Sequence, residues 1–163
     1  MKIEECALPG GSLIAPFGAA EGHYADCFEV AVAAPVALPA FIHAFYTQPL
    51  FKAERLVLRV VAGARSSDAE ARALADGETD RFAVWSVKDR RADELLMADA
   101  SGRTMSWLGV GTSVLRFGSV IVPVPDRRGR LTLGPVFQSL MGAHKFYSRA
   151  LLAGAARRVS SGH

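Results

Sequence analysis

The sequence has no asparagine and only two cysteines, Cys6 and Cys27, in 163 residues. The first absence removes any N-glycosylation acceptor. The second removes a disulfide scaffold, and two thiols so far apart in the chain have no metal-ligand spacing. No apolar run reaches the roughly 18 residues that a membrane span needs. Aromatic residues make up only 9% of the chain, and lysine is scarce, 4 against 15 arginines. Also missing are a glycine-rich phosphate loop, a GxSxG elbow, an HExxH pair and a CxxC pair. Nucleotide-phosphate, serine-hydrolase, zinc-protease and dithiol chemistry therefore have no motif, and neither a cofactor nor a metal is expected.

Half of the residues are apolar, enough for one ordinary domain with a sizeable core. Alanine and glycine, 27 and 15 residues, are abundant, as a GC-rich genome would produce. The net charge of +3 hides an asymmetry: residues 1–80 carry −5 and residues 81–163 carry +8. The basic residues cluster in turns (Lys88, Arg90, Arg91; Arg127, Arg128, Arg130) and at the tail (Arg157, Arg158). They are not interleaved with aromatics, so nucleic-acid binding is not expected. Glu4 and Glu5 stand where an export signal would need positive charge, so the expected setting is cytoplasmic with reduced cysteines.

Along the chain, residues 1–22 read as an irregular arm rich in Gly, Pro and Ala, and 23–163 as one α+β domain. Residues 24–32 alternate as a half-buried strand, with Phe28, Val30 and Val32 on one face. Leu38, Phe41, Ile42 and Phe45 recur at helical spacing in 39–47, and a second amphipathic helix is expected over 49–62. Ser67 and Glu70 have capping-box spacing and open a third helix over 67–76, expected on the surface. Residues 81–88, 93–99, 103–110 and 114–122 read as four strands with turn signals every 10–13 residues, an antiparallel meander. The last segment, 135–158, is a long helix in which Phe137, Leu140, His144, Tyr147 and Leu151 form one stripe.

Strand, helices, meander, long C-terminal helix is an order in which a sheet wraps the last helix, the helix-grip arrangement. Such a fold tends to leave a cavity between sheet and helix. The segments Tyr24-Ala25-Asp26, Gln48-Pro49-Leu50-Phe51, Arg55-Leu56-Val57-Leu58-Arg59, Asp93-Glu94-Leu95, Gly129-Arg130-Leu131, and His144-Lys145-Phe146 with Arg149-Ala150-Leu151-Leu152 resemble the bacterial domain-of-unknown-function family 2867. The resemblance spans about residues 22–155 and departs from the family at Pro123 and Pro125 and just before Lys145. The family has no established activity. It is similar to the START/polyketide-cyclase-like superfamily, and the resemblance implies a helix-grip protein with an apolar ligand pocket.

Candidate pocket residues are Trp85, Met105, Trp107 and Phe117 on strands and Leu140, His144 and Tyr147 on the last helix. Trp85 and Trp107 are either core or walls for an aromatic ligand, and the small neighbours Ala83 and Gly109 favour space beside them. His144, inside an apolar stripe, needs a partner. It is either a core histidine bonded to a backbone carbonyl or Tyr147, or a polar anchor for a ligand. Asp26 alternates onto the Phe28 face, yet its place at the strand's start is read as exposed, as is Arg116. No catalytic constellation is visible. The expected function is binding of a small apolar or aromatic molecule. The alternatives are a cyclase- or aromatase-like enzyme moving protons through His144, Tyr147 or Asp26, and a pocketless homodimer.

Overall fold

The computed structural model describes residues 1–53, 66–133 and 135–161, with side chains throughout these except 135–140. Seven antiparallel strands form one sheet: β1 (Ile3–Glu5), β2 (Tyr24–Ala31), β3 (Arg81–Phe82), β4 (Trp85–Arg90), β5 (Glu94–Asp99), β6 (Thr104–Val110) and β7 (Val114–Ile121). Their order is β1-β2-β7-β6-β5-β4-β3, so the meander β4–β7 continues onto β2. A separate hairpin joins β8 (Val124–Pro125) to β9 (Leu131–Thr132). The helices are α1 (Ala15–Gly18), α2 (Leu38–Thr47), α3 (Asp68–Asp76) and the long C-terminal α4 (Pro135–Ser161). The sheet packs against α4, the expected α+β arrangement. Residues 49–53 are helical, and the rest of the expected 49–62 helix lies outside the described residues. Among the described residues no helix is long and apolar enough to cross a membrane.

Alternation assigns the two sheet faces. Phe28, Val30, Leu95, Met97, Leu108, Leu115 and Phe117 point towards the helices and join Phe41, Ile42, Phe45, Leu151 and Leu152 in the main core. The opposite face carries Cys27, Leu96, Met105, Trp107 and Val120, and Leu13 and Ile14 of the N-terminal arm cover it. The arm is therefore not a loose appendage. It contributes edge strand β1 and roofs a second hydrophobic layer.

Two local expectations need correction. The strand expected over 81–88 is two strands joined by a tight turn at Ala83-Val84, with Ala83 held at φ 54°. Neither residue is a usual hairpin-turn residue, so nothing in the sequence marks the break. The third helix has its capping box, with Ser67 Oγ accepting from Glu70 N–H and Glu70 from Ser67 N–H. It is not a surface element, however: Ala71, Leu74 and Ala75 are buried against α2 and the core. Arg90 donates to the carbonyls of Leu74 and Ala75, satisfying the end of that helix.

The junction between α2 and α4 explains one glycine. Gln48 Nε2 donates to the carbonyls of Phe45 at 3.1 Å and Leu151 at 2.8 Å. A Cβ on Gly154 would lie 1.8 Å from Gln48 Oε1. Glycine inside a helix is unfavourable by about 1 kcal/mol relative to alanine, and here it leaves room for the amide that ties the two helices together.

Candidate functional site

The sheet register builds a polar row into the helix-facing surface. Asp26 pairs with Ser119, Ser119 with Ser106, and Ser106 with Met97. One row away the same strands carry Phe28, Phe117, Leu108 and Leu95. Where that row fills the space under the helix with large side chains, Ser119 and Ser106 leave it open. Above them α4 presents His144 and Ser148, one turn apart on one face. The missing volume is a cavity of about 180 Å³. Phe45, Tyr46, Phe51, Phe117 and Leu151 make its apolar wall, and Thr104, Ser106, Ser119, His144 and Ser148 its polar side. Such a space is close to the roughly 150 Å³ that accepts one benzene ring.

Asp26 is buried, at 5% exposure, which corrects its expected place at an exposed strand start. Pairing of β2 between β1 and β7 and the cover of α4 close over it. Its carboxylate collects three groups. Tyr24 O–H donates to Oδ2 at 2.8 Å, Ser119 N–H donates to Oδ1 at 3.1 Å, and His144 Nε2 lies 3.3 Å from Oδ2. Tyr24 and Asp26 share a strand face at i and i+2, and the Tyr24 ring meets His144 edge-on, 6.0 Å between centroids. His144 therefore faces a buried carboxylate as well as the Tyr24 ring. A histidine oriented by a buried carboxylate is the arrangement that can hold or pass a proton.

Four expected pocket side chains line this cavity, Trp85, Phe117, His144 and Tyr147; Met105 borders it too, but its side chain packs in the hydrophobic cluster on the opposite face. Leu140 lies outside the residues whose side chains are described. Trp107 is not a wall of it. It alternates to the opposite face with Met105, where its indole N–H donates to Glu94 Oε2 at 2.7 Å. The glycines beside it make room for the indole itself. A Cβ on Gly109 would stand 2.6 Å from the Trp107 ring, and one on Gly118 would stand 3.3 Å from it and 2.9 Å from the Asp26 carbonyl. Small residues next to a tryptophan were therefore a packing signal. The sequence feature that marks the cavity is serine at the inward-facing positions 106, 119 and 148. Arg116 lies on the outer face and pairs with Glu29 at 3.0 Å.

Two polar atoms at the cavity stand out. Trp85 Nε1 and Ser148 Oγ are buried and have no hydrogen-bond partner among the described residues. A buried donor left so costs about 1–3 kcal/mol. Both residues line the cavity.

The thiols of Cys6 and Cys27, 3.1 Å apart, lie on the far face of the sheet. Burial pushes both thiols up, and it pushes the Tyr24 phenol up as well, helped by its bond to Asp26 and that carboxylate's charge. The unfolded chain therefore releases these protons first. Their contribution to stability is fully present below the unfolded thiol value, about 8.5, and is lost as pH rises beyond it. We expect the melting temperature to fall from about pH 8.5 upward, and to fall less in a Cys6→Ala/Cys27→Ala/Tyr24→Phe variant. Equal slopes in melting curves from pH 7 to pH 10 would contradict this.

Among the described residues no three His, Cys, Asp or Glu side chains converge as metal ligands. No family model, curated protein or solved structure matches the chain.

Proposed function

We propose that the protein is a small-molecule-binding module that takes an apolar or aromatic ligand between its sheet and its C-terminal helix. The supporting observation is the cavity of about 180 Å³ with an aromatic wall and a polar side built from Ser106, Ser119, His144 and Ser148. This is the kind of site that the resemblance to family 2867 and to the START-like superfamily implies. We take the setting to be the reducing cytoplasm, where two adjacent thiols such as Cys6 and Cys27 stay free.

The test is a thermal-shift screen with single-ring aromatics. A ligand at a hundred times its dissociation constant stabilises by about 2.7 kcal/mol, a rise of roughly 5–10 °C for a domain of this size. Ser106→Leu fills the space and should abolish the shift. Absence of any shift in the wild type, or a shift that survives Ser106→Leu, would overturn the reading.

The pairing of His144 with Asp26 at 3.3 Å favours a second reading, a cyclase- or aromatase-like enzyme in which His144 moves protons. His144→Gln separates the two. Loss of product formation with binding retained supports the enzyme, and unchanged ligand recovery from both proteins supports the binder. A pocketless homodimer is less favoured, because it has no use for a polar cavity in the core.

A further inference from the structure

We infer that the occupant of this cavity is an uncharged single-ring compound bearing a carbonyl oxygen, and that Trp85 Nε1–H and Ser148 Oγ–H are the donors that recognise it. The inference rests on the binding reading above and names the ligand class.

The two donors are the first argument. Both atoms are buried, neither has a hydrogen-bond partner among the described residues, and both residues line one cavity. Ser148 is only 1% exposed, so bulk solvent does not satisfy its hydroxyl. An indole N–H can only donate, so its missing partner is an acceptor. A serine hydroxyl can donate to the same kind of group.

Charge supplies the second argument. Among the described residues the lining contains no Lys, Arg, Asp or Glu. A buried carboxylate on the ligand would have no cation of its own, since His144 is already set against Asp26. A cationic ligand fares no better, because Asp26 already faces the Tyr24 hydroxyl, the Ser119 amide and His144. That leaves a neutral molecule with an acceptor.

Shape is the third. The cavity of about 180 Å³ is walled by the rings of Phe45, Tyr46, Phe51 and Phe117. It admits one ring and a short substituent, and aromatic walls favour an aromatic ring stacked offset or edge-on.

The experiment compares acetophenone with its hydrocarbon isostere α-methylstyrene and with benzoate. Binding is followed by calorimetry and by the two indole N–H signals, which belong to Trp85 and Trp107. Acetophenone should bind about tenfold or more tighter than α-methylstyrene. It should move the Trp85 signal and leave that of Trp107, which is held by Glu94. Trp85→Phe and Ser148→Ala should each remove most of the preference while α-methylstyrene still binds, which shows that the variants are folded. Equal binding of acetophenone and α-methylstyrene would overturn the polar recognition and leave the cavity reading standing. Tighter binding of benzoate would overturn the neutral class. Failure of all three probes to bind would overturn this inference together with the binding reading.

Discussion

Asp26→Ala should destabilise the protein by about 3–5 kcal/mol, because a buried charge is removed from partners that keep their own polar groups. The carboxylate accepts from the Tyr24 hydroxyl and the Ser119 amide and faces His144 Nε2, all at the junction of β2, β7 and α4. Alanine removes the acceptor of the Ser119 amide inside the sheet and the carboxylate that Tyr24 and His144 share at the sheet–helix junction. Asp26→Asn is the informative control. Its amide oxygen can still accept from one donor, but its NH₂ group must then face another, so a smaller cost of about 1–3 kcal/mol is expected. Urea denaturation with an unchanged slope measures both values. A cost below about 1 kcal/mol for Asp26→Ala would mean that the carboxylate does not hold this cluster. The same variant should also weaken ligand binding, because His144 loses the group that orients it.

The parts of this molecule that were legible in the sequence are those encoded locally. Ser67 and Glu70 lie one turn apart and cap the same helix that their spacing indicates. The alternation of residues 24–32 and the turn signals between the last four long strands place β2 and β5–β7 within a residue or so. What stayed hidden depends on pairing between distant segments. Taken alone, the strand places Asp26 at an exposed start, and only its register with Ser119 and the approach of His144 bury it. Trp85 and Trp107 look alike as mid-strand tryptophans. They face opposite sides because one precedes the irregularity in β4, between Val87 and Asp89, while the other sits in an unbroken strand with its own alternation. The second hydrophobic face was missed for a related reason. The apolar residues of the arm that covers it are broken up by Pro9, Gly10, Gly11 and Pro16 and show no period, so Leu13 and Ile14 count as core only once the sheet lies beneath them.

Glu94→Ala tests whether that arm is an integral part of the fold. Glu94 is 8% exposed and lies at the start of β5, on the face away from α4. Its Oε2 accepts from the backbone N–H of Leu13 at 2.7 Å and from the Trp107 indole N–H at 2.7 Å. Arg91 approaches Oε1 at 3.3 Å and donates to the Gly11 carbonyl at 2.7 Å, so one carboxylate and one guanidinium bind the arm at two neighbouring points. Truncation at residue 94 leaves two buried donors and a half-buried cation without their acceptor. We expect a loss of about 3–5 kcal/mol, comparable to that of Asp26→Ala although the two carboxylates lie on opposite faces of the sheet. Glu94→Gln keeps one acceptor oxygen and should lose about 1–3 kcal/mol. Location distinguishes the two alanine variants better than magnitude does. In Glu94→Ala, hydrogen exchange should quicken first at residues 6–18 and at Trp107, with α4 still protected. In Asp26→Ala it should quicken along α4 and β7 while the arm holds. If Glu94→Ala instead loosens the whole sheet at once, arm and sheet form one cooperative unit, and the second hydrophobic face contributes as much to the fold as the first.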